Sequence, residues 1–174
     1  MLYRFDGREP IIGEGTYVAE TALVIGDVQV GKTCYIGHGV ILRGDYGTIK
    51  IGDGSAVEEG TVVHAPPGET CYIGKMVTIG HGAVVHCKTI GDFAVIGMGS
   101  VLSLWSEIGE RSIIGEGAIV TLKASIPAGM VATGNPARVI RQTSLKDEKR
   151  WNLGRQYNID LAGKYLRIGI HKIG

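Results

Sequence analysis

Three of the chain's five histidines, His64, His81 and His86, fall within the 23-residue stretch HAPPGETCYIGKMVTIGHGAVVH, among segments that are mostly aliphatic or glycine. Imidazole is the commonest protein ligand for divalent transition metals. Three imidazoles with an open fourth position make a catalytic zinc site rather than a closed structural one. Cysteine does not compete for this role. Cys34, Cys71 and Cys87 are odd in number and form no CxxC pair, so they read as reduced, buried thiols rather than a disulfide framework or a thiolate zinc knuckle.

A repeat could hold such histidines in register. Glycine is abundant, at 28 residues, and tends to follow an aliphatic residue at intervals near six. Aliphatics stand at Ile12, Val18, Val24, Val30, Ile36 and Leu42, then at Ile51, Val57 and Val63, then at Ile73 and Ile79. The series runs again from Val84 through Ile90, Ile96, Leu102, Ile108, Ile114 and Val120 to Ile126. A period of six does not keep one face of an α-helix inward, whereas short strands joined by tight corners turn one aliphatic side chain inward per hexad. The pattern predicts an all-β fold, a parallel β-helix of hexapeptide repeats with about eighteen residues per triangular coil and coils ~4.8 Å apart. The glycines are expected at corners whose conformation a Cβ would penalise. Coil ends need caps. After Pro136, Ser144 can cap a helix in which Leu153, Tyr157, Leu161 and Tyr165 recur every four residues. The β-helix is therefore expected over 1–136, with 137–174 a C-terminal segment whose α-helix packs along the prism.

The period breaks around GDYGT, around PPGET and between Ile79 and Val84, where one residue is missing. All three breaks flank the histidines, and loops extruded from a rigid scaffold are common places for function. Leu42, Val63 and Val85 count as one coil apart, so Arg43, His64 and His86, which follow them, stack in one outward column. His38, Glu59 and His81 form a second column on another edge. His64 and His86 could share a metal. His81 lies across a prism edge several residues long at ~3.3 Å per residue, so it must meet them from another chain. A cyclic homotrimer makes three such sites, each with two histidines from one subunit and one from the next. The plainer alternative is a set of surface histidines that only hydrogen-bond. His38 has no settled role, and His171 reads as solvent-exposed.

The net charge of +1, with no basic block, lacks the footprint of a nucleic-acid or polybasic membrane-binding protein. The N-terminus is charged, and no apolar run approaches the ~20 residues of a spanning helix. The expected location is cytoplasmic, with no nucleic-acid or membrane partner.

The segments VILRGDYGTIKIGDGSAVEEGTVVHAPP, YIGKMVTIGHGAVVHCKTIGDFAVIGMGSVL and IPAGMVATGNPARVIR resemble the γ-class carbonic anhydrase family, and with the repeat they span most of the chain. The resemblance implies a left-handed β-helical trimer with a metal held by His64, His81 and His86 across the subunit interface. It implies that Arg43 and Asp45, matching the family's RGD, pair between subunits, and that Tyr157 lines the pocket from the C-terminal helix. A purely structural role suits Arg43, Asp45 and Tyr157 equally well. The chain departs from the family pattern N-x-Q-D-G, reading AVEEG. Ala56 lacks an amide, Glu58 replaces the glutamine that orients the nucleophile, and Glu59 replaces the aspartate. Glu59 can still fix an imidazole tautomer from behind the ligands. Glu58 could orient water or accept a proton, yet its charge opposes ionisation of bound water. After His86, CK stands where the family has GC, and the loop before His81 lacks the family prototype's acidic insertion.

The expected activity is that of a lyase: reversible hydration of CO2 to bicarbonate, with a divalent ion lowering the pKa of its bound water toward ~7 and the hydroxide attacking CO2. Zn2+ is the expected ion, and imidazole donors also suit Co2+ or Fe2+. The alternatives are a hexapeptide-repeat acyltransferase or CoA-thioester enzyme, since a shared fold does not fix function, and a weakly active metal-binding trimer.

Overall fold

The hexad aliphatics form three inward ladders in the computed structural model, which describes residues 1–173. On the first face Val24, Leu42, Val63, Val85, Leu102 and Val120 are successive parallel partners. On the second they are Ile12, Val30, Ile51, Ile73, Ile90, Ile108 and Ile126. On the third they are Val18, Ile36, Val57, Ile79, Ile96, Ile114 and Ala132. All except Ile12 and Val18 are buried. Each buried Val, Leu or Ile contributes about 1.5–3 kcal/mol, so one continuous aliphatic column holds the prism together. The chain is a parallel β-helix. The third face is an 8-stranded sheet, and the first two faces belong to one 12-stranded sheet that bends at their shared edge.

The glycine that follows a ladder residue is required by close approach rather than by turn conformation. A Cβ at Gly52 would lie 2.5 Å from the Lys75 nitrogen of the next coil, and one at Gly97 would lie 2.6 Å from the Glu116 nitrogen, while neither residue has positive φ. The left-handed corner comes two residues later. Gly82 fills it at φ 67°, and at the corner between the second and third faces Met76 and Phe93 fill it at φ 55° and 59°.

Two of the three breaks in period differ from their sequence reading. GDYGT is not a loop but part of a continuous 11-residue strand, Ile41–Ile51, whose two halves pair on adjacent faces. The short interval falls after His86 rather than after Ile79. Val85 is fully buried while Val84 is 43% exposed, so the deletion removes a residue from the corner between Val85 and Ile90. PPGET forms a turn whose last residue, Thr70, opens the strand Thr70–Ile73.

After the last coil, Arg138–Gln142 pairs antiparallel with Met130–Thr133, and a helix spans Leu145–Ile168. Ser144 caps it in a reciprocal capping box with Asp147, which also accepts two hydrogen bonds from Arg141 at 2.6 and 3.1 Å. Its 24 residues reach roughly 36 Å, enough to run back over the third face, whose seven parallel coil strands span roughly 29 Å. The docking face is not the four-residue stripe read from sequence. Leu153, Tyr157 and Leu161 are exposed, and of that stripe only Tyr165 packs inward, stacked on Tyr17 at 4.5 Å between centroids. The helix residues it buries are Arg155 and Ala162. Arg155 donates to the carbonyls of the two left-handed corners, Met76 at 2.6 Å and Phe93, and to Asn152 Oδ1 at 2.9 Å. Burial and the nearby Arg111 charge lower its pKa to about 10, so it stays charged at neutral pH. A stripe defined by apolar residues alone could not reveal a docking face built on a guanidinium and an alanine. Among the described residues no helix is long and apolar enough to cross a membrane.

Candidate metal centre

Strand register builds the first histidine column. Arg43 pairs with His64, and Val63 pairs with Val85, so His86 follows one coil above. The His64 and His86 rings lie 4.7 Å apart at an interplanar angle of 34°. His64 Nε2 is 3.0 Å from Asp45 Oδ1, while the other Asp45 oxygen accepts from Arg43 at 2.6 Å. Burial would raise the Asp45 pKa, but hydrogen bonds from Arg43, His64 and the Tyr46 N–H together hold it below the ordinary range. Arg43 and Asp45 thus pair within one chain and brace His64. His86 Nε2 is buried with no hydrogen-bond partner. Burial first, then the charges of His64 and Arg43, depress its pKa, which favours the neutral, ligating form.

The second column stands on the third face. Ile36, Val57 and Ile79 are in register, so His38, Glu59 and His81 stack two residues beyond them. His81 lies between two carboxylates, with Nδ1 2.8 Å from Glu59 Oε2 and Nε2 3.2 Å from Glu58 Oε2. The Tyr35 hydroxyl donates to the other Glu59 oxygen at 2.6 Å. Burial would raise the Glu59 pKa, and the bond from Tyr35 leads the contacts that bring it below normal. His38 turns away, with Nδ1 2.9 Å from Thr21 Oγ1.

The helix adds a residue that the sequence did not single out. Asn158 donates to Glu58 Oε1 at 3.3 Å, while its neighbour Tyr157 is 62% exposed. Asn158 had no signal beyond its place beside Tyr157. Thr78, also not singled out, has a buried hydroxyl without a partner. With Glu58 and His81 it lines one end of a groove of about 430 Å³, which extends to Arg150 and Trp151 at the start of the helix. The cysteines are all free and buried, and Cys87, hydrogen-bonded to Cys71 and desolvated, has its pKa pushed well up. His171 is exposed.

Among the described residues of the single chain, no three His, Cys, Asp or Glu side chains come together to hold a metal. The donors themselves fit a divalent cation. They comprise a buried nitrogen without a partner on His86 and two imidazoles oriented by carboxylates, His64 by Asp45 and His81 by Glu59 and Glu58. His64 and His86 stand on one face and His81 on another.

No protein-family model matches the chain. It is 36% identical to "Gamma carbonic anhydrase 2, mitochondrial" of Arabidopsis thaliana over 82% of its length, and it spans about half (52%) of that relative. It is 34% identical to "Carnitine operon protein CaiE" of Escherichia coli over 98% of its length and 86% of that protein. Among solved structures, a hexapeptide transferase family protein from Anaplasma phagocytophilum superimposes with a TM-score of 0.90 at 32% identity, covering 95% of this chain and 98% of that one.

Proposed function

The chain belongs to the γ-carbonic anhydrase family of hexapeptide-repeat proteins, and from that premise we propose that it hydrates CO2 reversibly to bicarbonate at metal centres shared between subunits of a homotrimer. The observation that carries the reading is the division of the donors: His64 and His86 ring to ring on one face, and His81 braced by Glu59 on another. The exposed apolar stripe of Leu153, Tyr157 and Leu161 supports an assembly in which a second subunit covers the helix.

His64 and His86 of one subunit and His81 of the next would hold the ion. A divalent cation there supplies Lewis acidity, polarising a water enough to bring its ionisation near neutral pH. With an ion bound, Glu59 would hold the proton on His81 Nδ1, leaving Nε2 as the donor atom. Glu58 offers a carboxylate beside that nitrogen and is placed to orient water or accept its proton, with Asn158 holding the other oxygen. Arg43 holds Asp45 against His64, which orders that half of the site. Thr78 presents its unpartnered hydroxyl to the groove. Tyr157 would enter a pocket only across the subunit boundary.

A second reading, acyl transfer or CoA-thioester chemistry, draws support from the groove, which is far larger than CO2 requires, and from the transferase name of the Anaplasma structure. Two measurements separate them. Metal analysis is expected to find about one ion per subunit, and the loaded protein to hydrate CO2, with His81→Ala abolishing both. Acetyl-CoA-dependent turnover by metal-free protein that survives His81→Ala would replace the first reading with the second.

A further inference from the structure

We infer that a second copy of this chain seats on the first face of the prism, along a column of outward aliphatic side chains, and that it does so without metal. The choice of a second copy rests on the shared-site reading above; the column itself does not.

Strand register lines up Leu23, Ile41, Val62, Val84, Val101 and Ile119 as successive parallel partners, each one residue before an inward ladder position. They therefore point out of the same strands whose ladder residues point in. None of the six is buried, and Val84 is 43% exposed. The other two faces differ. On the second, the matching outward column runs from Ile11 through Gln29, Lys50, Tyr72, Thr89 and Glu107 to Ser125, with only its first position aliphatic. On the third, the helix already covers Tyr35 and Ala56 with Ala162 and Tyr165. Aliphatics on both sides of a parallel sheet are the pattern of a sheet covered on both sides. The first face has that pattern with its outer column still partly exposed.

Two features point to a second copy as the cover. The six residues repeat at the strand spacing over about 24 Å, so a matching partner needs apolar groups at the same pitch. Another prism of this chain, set parallel, has them. The column also lies between the two histidine columns, since Val84 follows His81 by three residues and precedes His86 by two. His81 comes between His64 and His86 on a coil that climbs ~4.8 Å per turn, so its height falls between theirs. A copy rotated about an axis parallel to the prism, with no slide along it, brings its His81 level with the gap between His64 and His86. Rotation without slide closes into a ring rather than a filament, and three aliphatic columns then face one axis.

The test is the mass of the metal-stripped, full-length protein by light scattering. Wild type is expected at three times the 18.5 kDa chain. Val62→Glu and Val84→Glu each place a charge in the seat and are expected to run as single chains with the wild-type far-UV circular dichroism. Tyr72→Glu, on the second face, is expected to stay trimeric. The double variant Val62→Ala, Val84→Ala removes only outward apolar surface, and is expected to dissociate at concentrations at least about 10-fold higher than wild type. Should the glutamate variants lose their dichroism, the alanine pair decides. Folded glutamate variants that stay trimeric, or an alanine pair that dissociates like wild type, overturn the seat and leave the shared site standing. A wild type that is monomeric until metal is added overturns the proposal, because metal rather than the column then holds the assembly. A monomer that binds about one ion per chain overturns the shared-site reading, and the second copy with it.

Discussion

At the residue scale, the orientation of His81 depends on a chain of contacts that begins at Tyr35. Its hydroxyl donates to Glu59, whose other oxygen holds His81 Nδ1, and burial followed by the Glu59 contact raises the Tyr35 pKa far above its ordinary value. The phenol therefore stays a donor at any working pH. Tyr35→Phe keeps the ring beside Tyr17 and Tyr165 but frees Glu59 to turn. Such support behind a ligand is worth roughly 10–100-fold in metal affinity, so Tyr35→Phe is expected to weaken binding by about 10-fold with little change in melting temperature. Chelator competition checks this, and an unchanged dissociation constant would remove Tyr35 from the site. The second glutamate of AVEEG was legible as a tautomer-fixing acceptor because ladder counting put it in the His81 column. Tyr35 was not, because it lies one residue before a ladder position and only side-chain length shows that its hydroxyl reaches Glu59.

At the element scale, the helix joins the site to the end of the prism. It meets the coils through Arg155, Asn158, Ala162 and Tyr165, and its start is fixed by the Ser144 and Asp147 capping box. Hydrogen bonds from Arg141 and then Ser144 hold the Asp147 pKa well below the ordinary carboxylate value. A carboxylate whose pKa is lowered on folding stabilises fully above its unfolded pKa of about 4, and that stabilisation is lost as pH falls toward the folded value. Asp147→Asn is therefore expected to cost about 1 kcal/mol near pH 7, the scale of a helix cap, and the gap to wild type should narrow below about pH 4. Thermal melts at pH 7 and pH 3 measure both quantities, and a gap that does not depend on pH would refute the assignment. The helix and its cap were readable from Ser144 and the residues after it. Its buried face was not, because Arg155 is buried by two corner carbonyls of the β-helix that no helical periodicity contains.

At the scale of the whole molecule, His64, His81 and His86 stand on one chain, and among its described residues no three His, Cys, Asp or Glu side chains come together to hold a metal. If subunits share the ion, His81→Ala and His86→Ala proteins should each lack a full donor set on their own. Co-refolded as mixed trimers, they should regain sites wherever a His81→Ala subunit supplies His64 and His86 to the His81 of a His86→Ala neighbour. One restored site in each mixed trimer, about a quarter of the wild-type metal after random 1:1 mixing, measured against each variant refolded alone, is the expected result, and no recovery would argue against shared sites. The amino-acid sequence by itself determined the two histidine columns and the ladders apart from the step at Val84–Val85, because an unbroken six-residue aliphatic period fixes register coil by coil. Tertiary structure decided what that period does not encode: which side of Val84–Val85 faces in, where the missing residue falls, which helix face docks, and how Glu58 and Glu59 divide the two nitrogens of His81. Each of those depends on contacts between coils or with the helix, where side-chain reach rather than spacing sets the partner.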